Sequence, residues 1–286
     1  MKKRFLLLLL MLFLLLLLGI GLVAYPIASS HYAERHQSQV YTQYQEIIEK
    51  SGSNEIEAAR AAAEAYNWQL ASGAIVEGEI SPDYDSLLNL TGNGMMGYIE
   101  IPAIDVLLPI YHGVDEESLQ IGAGHMPSTS LPIGGKGTHA AISAHTGMST
   151  ARMFTDLEQL ETGDRFYLHV LDKTLAYEVD QLLVVEPYQT EALKIDKGQD
   201  YVTLITCTPY GINSHRLLVR GHRIEVEAEE TRSAEAVSPE AGPKPSTWRA
   251  KYWEGIRDGL LLFLIVLLIL LAVMLLVKKR RKRKPL

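Results

Sequence analysis

A single cysteine, Cys207, occurs in the 286 residues, at the end of an apolar run in "DYVTLITCTPYGINSHRLLVRGHR" with arginines just beyond it. A thiol is a useful nucleophile when a neighbouring base or cation favours its thiolate. Acyl transfer further needs an acid for the leaving amine and a donor for the developing oxyanion. The sequence must therefore offer His and Arg or Lys that can converge on Cys207. His145, in "THAAISAHTG", ends a strand-like run before Thr146 and Gly147, as Cys207 ends its own before "TPYG". Two reactive residues at strand ends could meet on one rim of a barrel. Arg216 opens the following run and can return to that rim. Arg220 shares its face but stands roughly 13 Å farther along a strand.

Bland readings stand beside this one. A lone thiol also serves as an inert buried residue or an intermolecular bridge. His139 shares a face with His145 but sits about 20 Å back along the strand. His215 adjoins Arg216 and points to the opposite face. His112, His125, His169 and His222 are scattered, and His31 and His36 fall in a membrane-proximal helix. No metal-ligand spacing joins them, so they are read as structural and no metal is expected.

The ends of the chain set the compartment. After Lys2, Lys3 and Arg4, an uncharged apolar run extends from Phe5 to Ala24, and a second from Leu260 to Val277 precedes "KKRRKRK". Twenty residues at helical rise span about 30 Å, one hydrocarbon core. Basic residues flank both runs on their outer sides, which places both termini in the cytoplasm and the rest outside. Trp248, Tyr252 and Trp253 suit the interfacial belt before the second span. The alternative for the first run is a cleaved signal peptide, with "IASS" as the processing site. Of 27 basic and 34 acidic side chains, the tails hold basic residues alone, so the part between them is strongly acidic. Such a surface argues against nucleic acid or anionic lipid as the main partner.

Residues 31–70 read as helical, broken at "KSGSN". Ile56, Ala59, Ala63, Tyr66 and Leu70 recur at helical spacing, with Ser53 or Asn54 placed to cap and Gly73 to stop. A long loop follows to Gly94. From Met96 onward, short β-branched or aromatic runs alternate with turn residues, about seven or eight strands in all, which suggests a closed barrel or a sandwich. "TARMFTDLEQLETGD" offers one short helix among them. The acidic, proline-bearing stretch after Val226 reads as a spacer.

"TLITC" at Thr203–Cys207, with Arg216 beyond and "SAHTG" around His145, resembles the signature of the sortases, transpeptidases of Gram-positive cell surfaces. "GYIEIPAIDVLLPIYHG", "GGKGTHAAISAHTG" and the Cys207 segment, together with two spans, resemble the class C branch, which polymerises pilins. The resemblance implies a mainly β fold, a closed eight-stranded sortase-type barrel with N-terminal helices and two transmembrane helices. The expected organisation is an anchor or signal at 1–24, a helical region at 25–71 and a lid-like loop at 72–95. The catalytic barrel follows at 96–227, then a spacer at 228–258, a transmembrane helix at 259–277 and a basic cytoplasmic tail at 278–286.

By the resemblance, Cys207 attacks the threonine carbonyl of an L-P-x-T-G-like sorting signal and forms a thioester. His145 protonates the departing glycine amine and later deprotonates the acceptor, a pilin lysine; Arg216 stabilises the oxyanion. No metal or organic cofactor is implied. The location implied is the membrane of a Gram-positive bacterium, with the catalytic part outside. Class C lids often carry an Asp-Pro-aromatic motif. Here Ser81, Pro82, Asp83 and Tyr84 stand in another order, leaving a lid without that latch, with Glu77 or Glu79 reaching toward Arg216, or an open site. The alternatives are a sortase that anchors proteins to peptidoglycan, a cysteine peptidase, and a non-catalytic membrane-tethered binding domain.

Overall fold

Strand-forming runs separated by turns build the centre of the molecule. The computed structural model describes residues 40–75, 79–148 and 151–225, with further helical residues between 10 and 29 and between 254 and 266. The strands are β1 (Met95–Ile101), β2 (Val106–His112), β3 (Ala123–His125), β4 (Thr138–Ser143), β5 (Arg165–Val170), β6 (Lys173–Val185), β7 (Asp200–Thr208) and β8 (His215–Ile224). Seven match the runs in the sequence. β3, with three residues, is too short to show a period of two.

The strands close into a barrel in the order β1-β2-β3-β4-β7-β8-β6-β5, with β5 returning to β1. This resolves the choice between barrel and sandwich, and closure removes exposed strand edges. Most neighbours are antiparallel; β2 with β3 and β4 with β7 run parallel. Ile99, Ile110, Ile142, Leu204 and Val219 are fully buried in the main core. Phe166 and Tyr177 stack there, ring centroids 5.5 Å apart. Gly221 of β8 passes so close that an added Cβ would lie 2.5 Å from the Phe166 ring.

Two helices pack on this barrel. Residues 40–50 form α1, which presents Tyr44 and Ile48 to the core. The Tyr44 hydroxyl donates to the Met96 carbonyl (3.0 Å) and accepts from the Leu171 amide (2.8 Å). Helix α2 (Ser53–Ser72) buries Ala63 and Tyr66 with Ile56, Ala59 and Leu70 half-buried beside them, the stripe expected from its spacing. Asn67 exchanges two hydrogen bonds with the Leu131 backbone, and Arg60 pairs with Asp172. Gly73 ends α2 at φ 78°, as expected. The N-cap, however, is Gly52 with no side-chain bond; Ser53 is already helical and cannot cap. Beyond β2 comes the short α3 (Glu116–Ile121), and the short helix expected near residue 157 is a single 3-10 turn, Leu157–Gln159.

The loop before β1 is fastened by a residue its polar sequence hides. Tyr84 is 2 % exposed, and its hydroxyl meets His125 Nδ1 at 2.8 Å and accepts from the Gly113 amide at 3.2 Å.

The chain divides into two compact units, Met1–Pro245 and Ser246–Leu286. Among the described residues no helix is long and apolar enough to cross a membrane. Half of the first expected span and most of the second lie outside the described residues, as do the basic tail, nearly all of the spacer, His31, His36 and Glu77.

Candidate active site

Register sets the three candidate residues level with one another. In the parallel β4–β7 ladder Ser143 stands opposite Ile205. Past the end of the ladder the Ala144 amide donates to the Ile205 carbonyl (3.1 Å) and the buried Thr206 hydroxyl to the Ala144 carbonyl (2.8 Å). Two residues of the same register bring His145 level with Cys207. On the other side of β7, Cys207 stands opposite Arg216 in the antiparallel ladder with β8, and Val185 of β6 stands opposite Arg216 in turn. Neighbouring strands lie about 4.8 Å apart. Cys207 and Arg216 therefore occupy adjacent strands at one end of the barrel, and His145 follows the end of the neighbouring β4 at the same level.

Alternation decides which face they use. Leu204, Leu217 and Val219 point into the main core, whereas Ala141, Ile205 and Leu218 form a second apolar cluster with Met126, Val185 and Leu193. Cys207 has the parity of Ile205, and Arg216 that of Leu218, so both belong to the outer face. A cleft of about 280 Å³ opens there, lined by His145, Cys207 and Arg216, with Ile205 and Leu218 below and Thr190 and Leu193 of the β6–β7 connection at the side. The sequence gives no direct sign of that side wall, because Thr190 and Leu193 lie in a loop with no period. The apolar floor could have been found by carrying the alternation back from Cys207 and forward from Arg216.

Cys207 is half-buried and free. Arg216 Nη1 donates to the carbonyls of His215 (3.1 Å) and Asn213 (3.4 Å), which holds the guanidinium to its own hairpin. Among the described residues no carboxylate pairs with it. The expected reach of Glu79 toward Arg216 is not seen: the Glu79 carbonyl instead accepts from the Ser128 hydroxyl (2.9 Å). None of the described residues of the 72–95 loop lines the cleft; Ile80 lines a neighbouring groove with Ser128 and Lys194. The loop after His145 is folded back, the Phe154 amide donating to the His145 carbonyl (3.0 Å) and the Gly147 amide to the Thr155 hydroxyl (3.0 Å). Gly147, at φ 73°, lies against the Tyr210 ring, where a side chain would be strained.

The other described histidines are held in structural contacts. His125 is buried between Tyr84 and the Ser130 carbonyl, and burial pushes its imidazole down to about 4. His112 meets the Gly94 and Leu87 carbonyls, and His169 stacks on Tyr98 at 4.2 Å. His139 bridges Lys194 and Thr203, while His215 lies 3.4 Å from Glu186 and His222 3.9 Å from Asp180. Among the described residues no three His, Cys, Asp or Glu side chains gather as a metal-ligand set.

A thiol, an imidazole and a guanidinium on one apolar-floored cleft suit acyl transfer to and from an extended peptide. The sortase domain model matches residues 99–224. Sortase A of Bacillus anthracis is 30 % identical over 149 residues, which cover 51 % of this chain and 69 % of that protein. The crystal structure of Streptococcus pneumoniae sortase C, a study of catalysis and pilin substrate specificity, is 44 % identical and superposes with TM-score 0.61, covering 66 % of this chain and 98 % of that one. Clostridium perfringens sortase C, solved with the C-terminal cell wall sorting motif, is 41 % identical with TM-score 0.59, covering 66 % of this chain and 100 % of that one. With a matching domain model, a closed eight-stranded barrel and C-type sortases as its structural neighbours, this chain belongs to the sortase family of transpeptidases.

Proposed function

We propose that the protein assembles covalent pili, cutting an L-P-x-T-G-like sorting signal between threonine and glycine and joining the threonine to a lysine amine of a pilin. One observation supports the assignment of residues: His145 just past the end of β4, Cys207 on β7 and Arg216 on β8 line one cleft. Cys207 Sγ attacks the threonine carbonyl carbon, and the oxyanion that forms faces the Arg216 guanidinium. The carbon–nitrogen bond breaks as His145 gives a proton to the glycine amine, leaving a thioester. The acceptor amine then loses a proton to His145 and attacks the thioester; the carbon–sulfur bond breaks, an isopeptide bond forms and the thiolate returns. One amide replaces another, so the balance needs no outside energy source and no cofactor.

The sorting motif bound to the Clostridium perfringens relative and the pilin specificity studied in the Streptococcus pneumoniae relative support this substrate class. The basic-flanked apolar runs support attachment to the membrane of a Gram-positive bacterium, with the barrel outside and both termini in the cytoplasm.

Intact-mass spectrometry of the full chain in detergent, mixed with an L-P-x-T-G peptide, tests the proposal. An adduct lacking the glycine side of the peptide is expected with the native cysteine and not with Cys207→Ala. Its release by a pilin-derived lysine peptide, with the matching isopeptide mass, establishes the second half. No adduct on a Cys207 that alkylates freely would overturn the proposed substrate.

A further inference from the structure

One wall of the cleft is pinned at its ends, where the Gln199 carbonyl accepts from the Gly137 amide (2.7 Å) and Glu186 lies 3.4 Å from His215, and by a single hydrogen bond between them. The β6–β7 connection, residues 186–199, supplies Gln189, Thr190 and Leu193 to the cleft, and Thr190, Leu193 and Lys194 to the groove that continues past Met126. Its underside rests on the barrel through Ala192 and Leu193, half-buried against Ala141, Ile205 and Leu218. Within the connection, hydrogen bonds are local: Leu193 to Thr190, Lys194 to Glu191, Gly198 to Asp196. Among the described residues, the one hydrogen bond fastening 187–198 to the barrel joins His139 Nδ1 and the Lys194 carbonyl, at 3.0 Å.

His139 is built to make it. The residue is 1 % exposed on β4, and its Nε2 meets the Thr203 hydroxyl at 2.7 Å. A carbonyl only accepts, so Nδ1 must carry the proton; Nε2 is then free to accept from Thr203, which locks the tautomer and the ring. Burial lowers its pKa and the Arg220 guanidinium acts in the same direction, against the smaller opposing pull of the Lys194 carbonyl and Asp180. Arg220 is itself held by Asp180 at 2.9 and 3.0 Å and lies over the Tyr201 ring, whose centroid is 5.5 Å from that of His139.

We propose that His139 is a positioning residue for the substrate, holding the β6–β7 wall against the barrel so that the cleft beside Cys207 is formed before the peptide arrives. It touches none of the reacting atoms. The inference rests on the proposed peptide transfer for its kinetic consequence, and on the contacts alone for its structural one. A wall that spends less time in place lowers the competent fraction and raises the apparent dissociation constant in proportion.

The test uses the full chain in detergent with His139→Leu and His139→Asn, the second keeping a donor near the Nδ1 position. The leucine variant is expected to raise KM for a sorting-signal peptide about five- to tenfold while kcat changes less than about threefold. Asparagine is expected to recover most of the loss. Brief trypsin treatment reads the wall without any substrate: cleavage after Lys194 and Lys197 should accelerate in the leucine variant and not in the asparagine one. If the native protein turns over no peptide, the proposed function fails and the trypsin arm still decides the role of His139. Unchanged cleavage, an asparagine variant that behaves like leucine, or a fall in kcat with KM unmoved would each overturn the role. Should the leucine variant fail to fold, Thr203→Val removes the bond that fixes the tautomer. Faster cleavage at the same two lysines would then support the role, and unchanged cleavage would overturn it.

Discussion

Cys207 and Arg216 are direct cross-strand partners in the β7–β8 ladder, on the same outer face of the barrel. Thr208 and His215 still pair beyond them and only residues 209–214 form the hairpin loop, so their separation is fixed by the ladder and not by loop conformation. The guanidinium is tied back to the carbonyls of Asn213 and His215, and among the described residues no carboxylate competes for it. A cation held beside the thiol, with no acidic partner, is suited to a negative charge that appears only when a substrate carbonyl is attacked.

Removing that cation should cost the acylation step. Arg216→Ala is expected to slow thioester formation about 10²- to 10³-fold, measured by single-turnover mass spectrometry, because one oxyanion donor carries that order of effect. Arg216→Lys should recover only part of it, since an ammonium cannot reproduce the planar fork of donors. Equal rates for lysine and arginine would show that charge alone suffices.

A buried histidine makes the fold sensitive to acid. Burial holds the His125 imidazole down at about 4 against an ordinary 6.5, with the His112 charge adding to the effect. The unfolded chain therefore binds the proton more readily. Stability is full above about pH 6.5 and falls as the pH drops toward 4, by an amount that approaches about 3 kcal/mol. His139, shifted in the same direction, adds to the slope. His125→Gln keeps a donor for Ser130 and removes the titration, so its melting temperature should depend less steeply on pH between 6.5 and 4.5. An unchanged slope would assign the acid sensitivity elsewhere.

Gly221 tests how tightly the barrel closes. An alanine there would bring its Cβ to 2.5 Å from Phe166 Cε1 and 3.0 Å from Tyr177 Cβ, inside the stacked pair. Gly221→Ala is expected to destabilise by about 1–3 kcal/mol in chemical unfolding, the range for overpacked cores. The cleft lies at the other end of β8, so peptide turnover at low temperature should survive.

The strands and the gathering of the three candidate residues were legible because each rests on local pattern: alternation marks β7 and β8, and Cys207, His145 and Arg216 are polar residues where apolar runs stop. The β3 strand was not, because three residues carry no period and it exists through its neighbours β2 and β4. The wall of the cleft was hidden for a related reason, since Thr190 and Leu193 are placed by contacts remote in sequence: Ala141, Ile205 and Leu218 beneath Leu193, and His139 at the Lys194 carbonyl. His139 itself read as a structural histidine, distant from His145 along one strand. Register does put His139 opposite Tyr201, toward the other end of the β4–β7 ladder from His145, and it is the loop reaching down to His139 that gives it a part in the proposed site.

Tyr84 shows the same limit and yields the last prediction. In "SPDYDS" it reads as a loop residue, yet it is buried against His125, 41 positions away, and its hydroxyl also receives the Gly113 amide. Its ring stands edge-on to His112, centroids 5.0 Å apart. The described part of this loop is thus a strap sewn into the core. Deleting residues 73–86 would remove the strap together with any lid, so the outcome would report unfolding. Tyr84→Phe separates the two roles. Losing the hydroxyl leaves the Gly113 amide and His125 Nδ1 without that partner, which is expected to cost about 1–3 kcal/mol in chemical unfolding. No described residue of the strap lines the Cys207 cleft, so the rate of Cys207 alkylation by a small thiol reagent should stay within about twofold of the native rate, the reactivity of a thiol being set by its own surroundings. A large rise in that rate would show instead that Tyr84 holds a cover over the thiol, and the strap would then be a lid fastened from below.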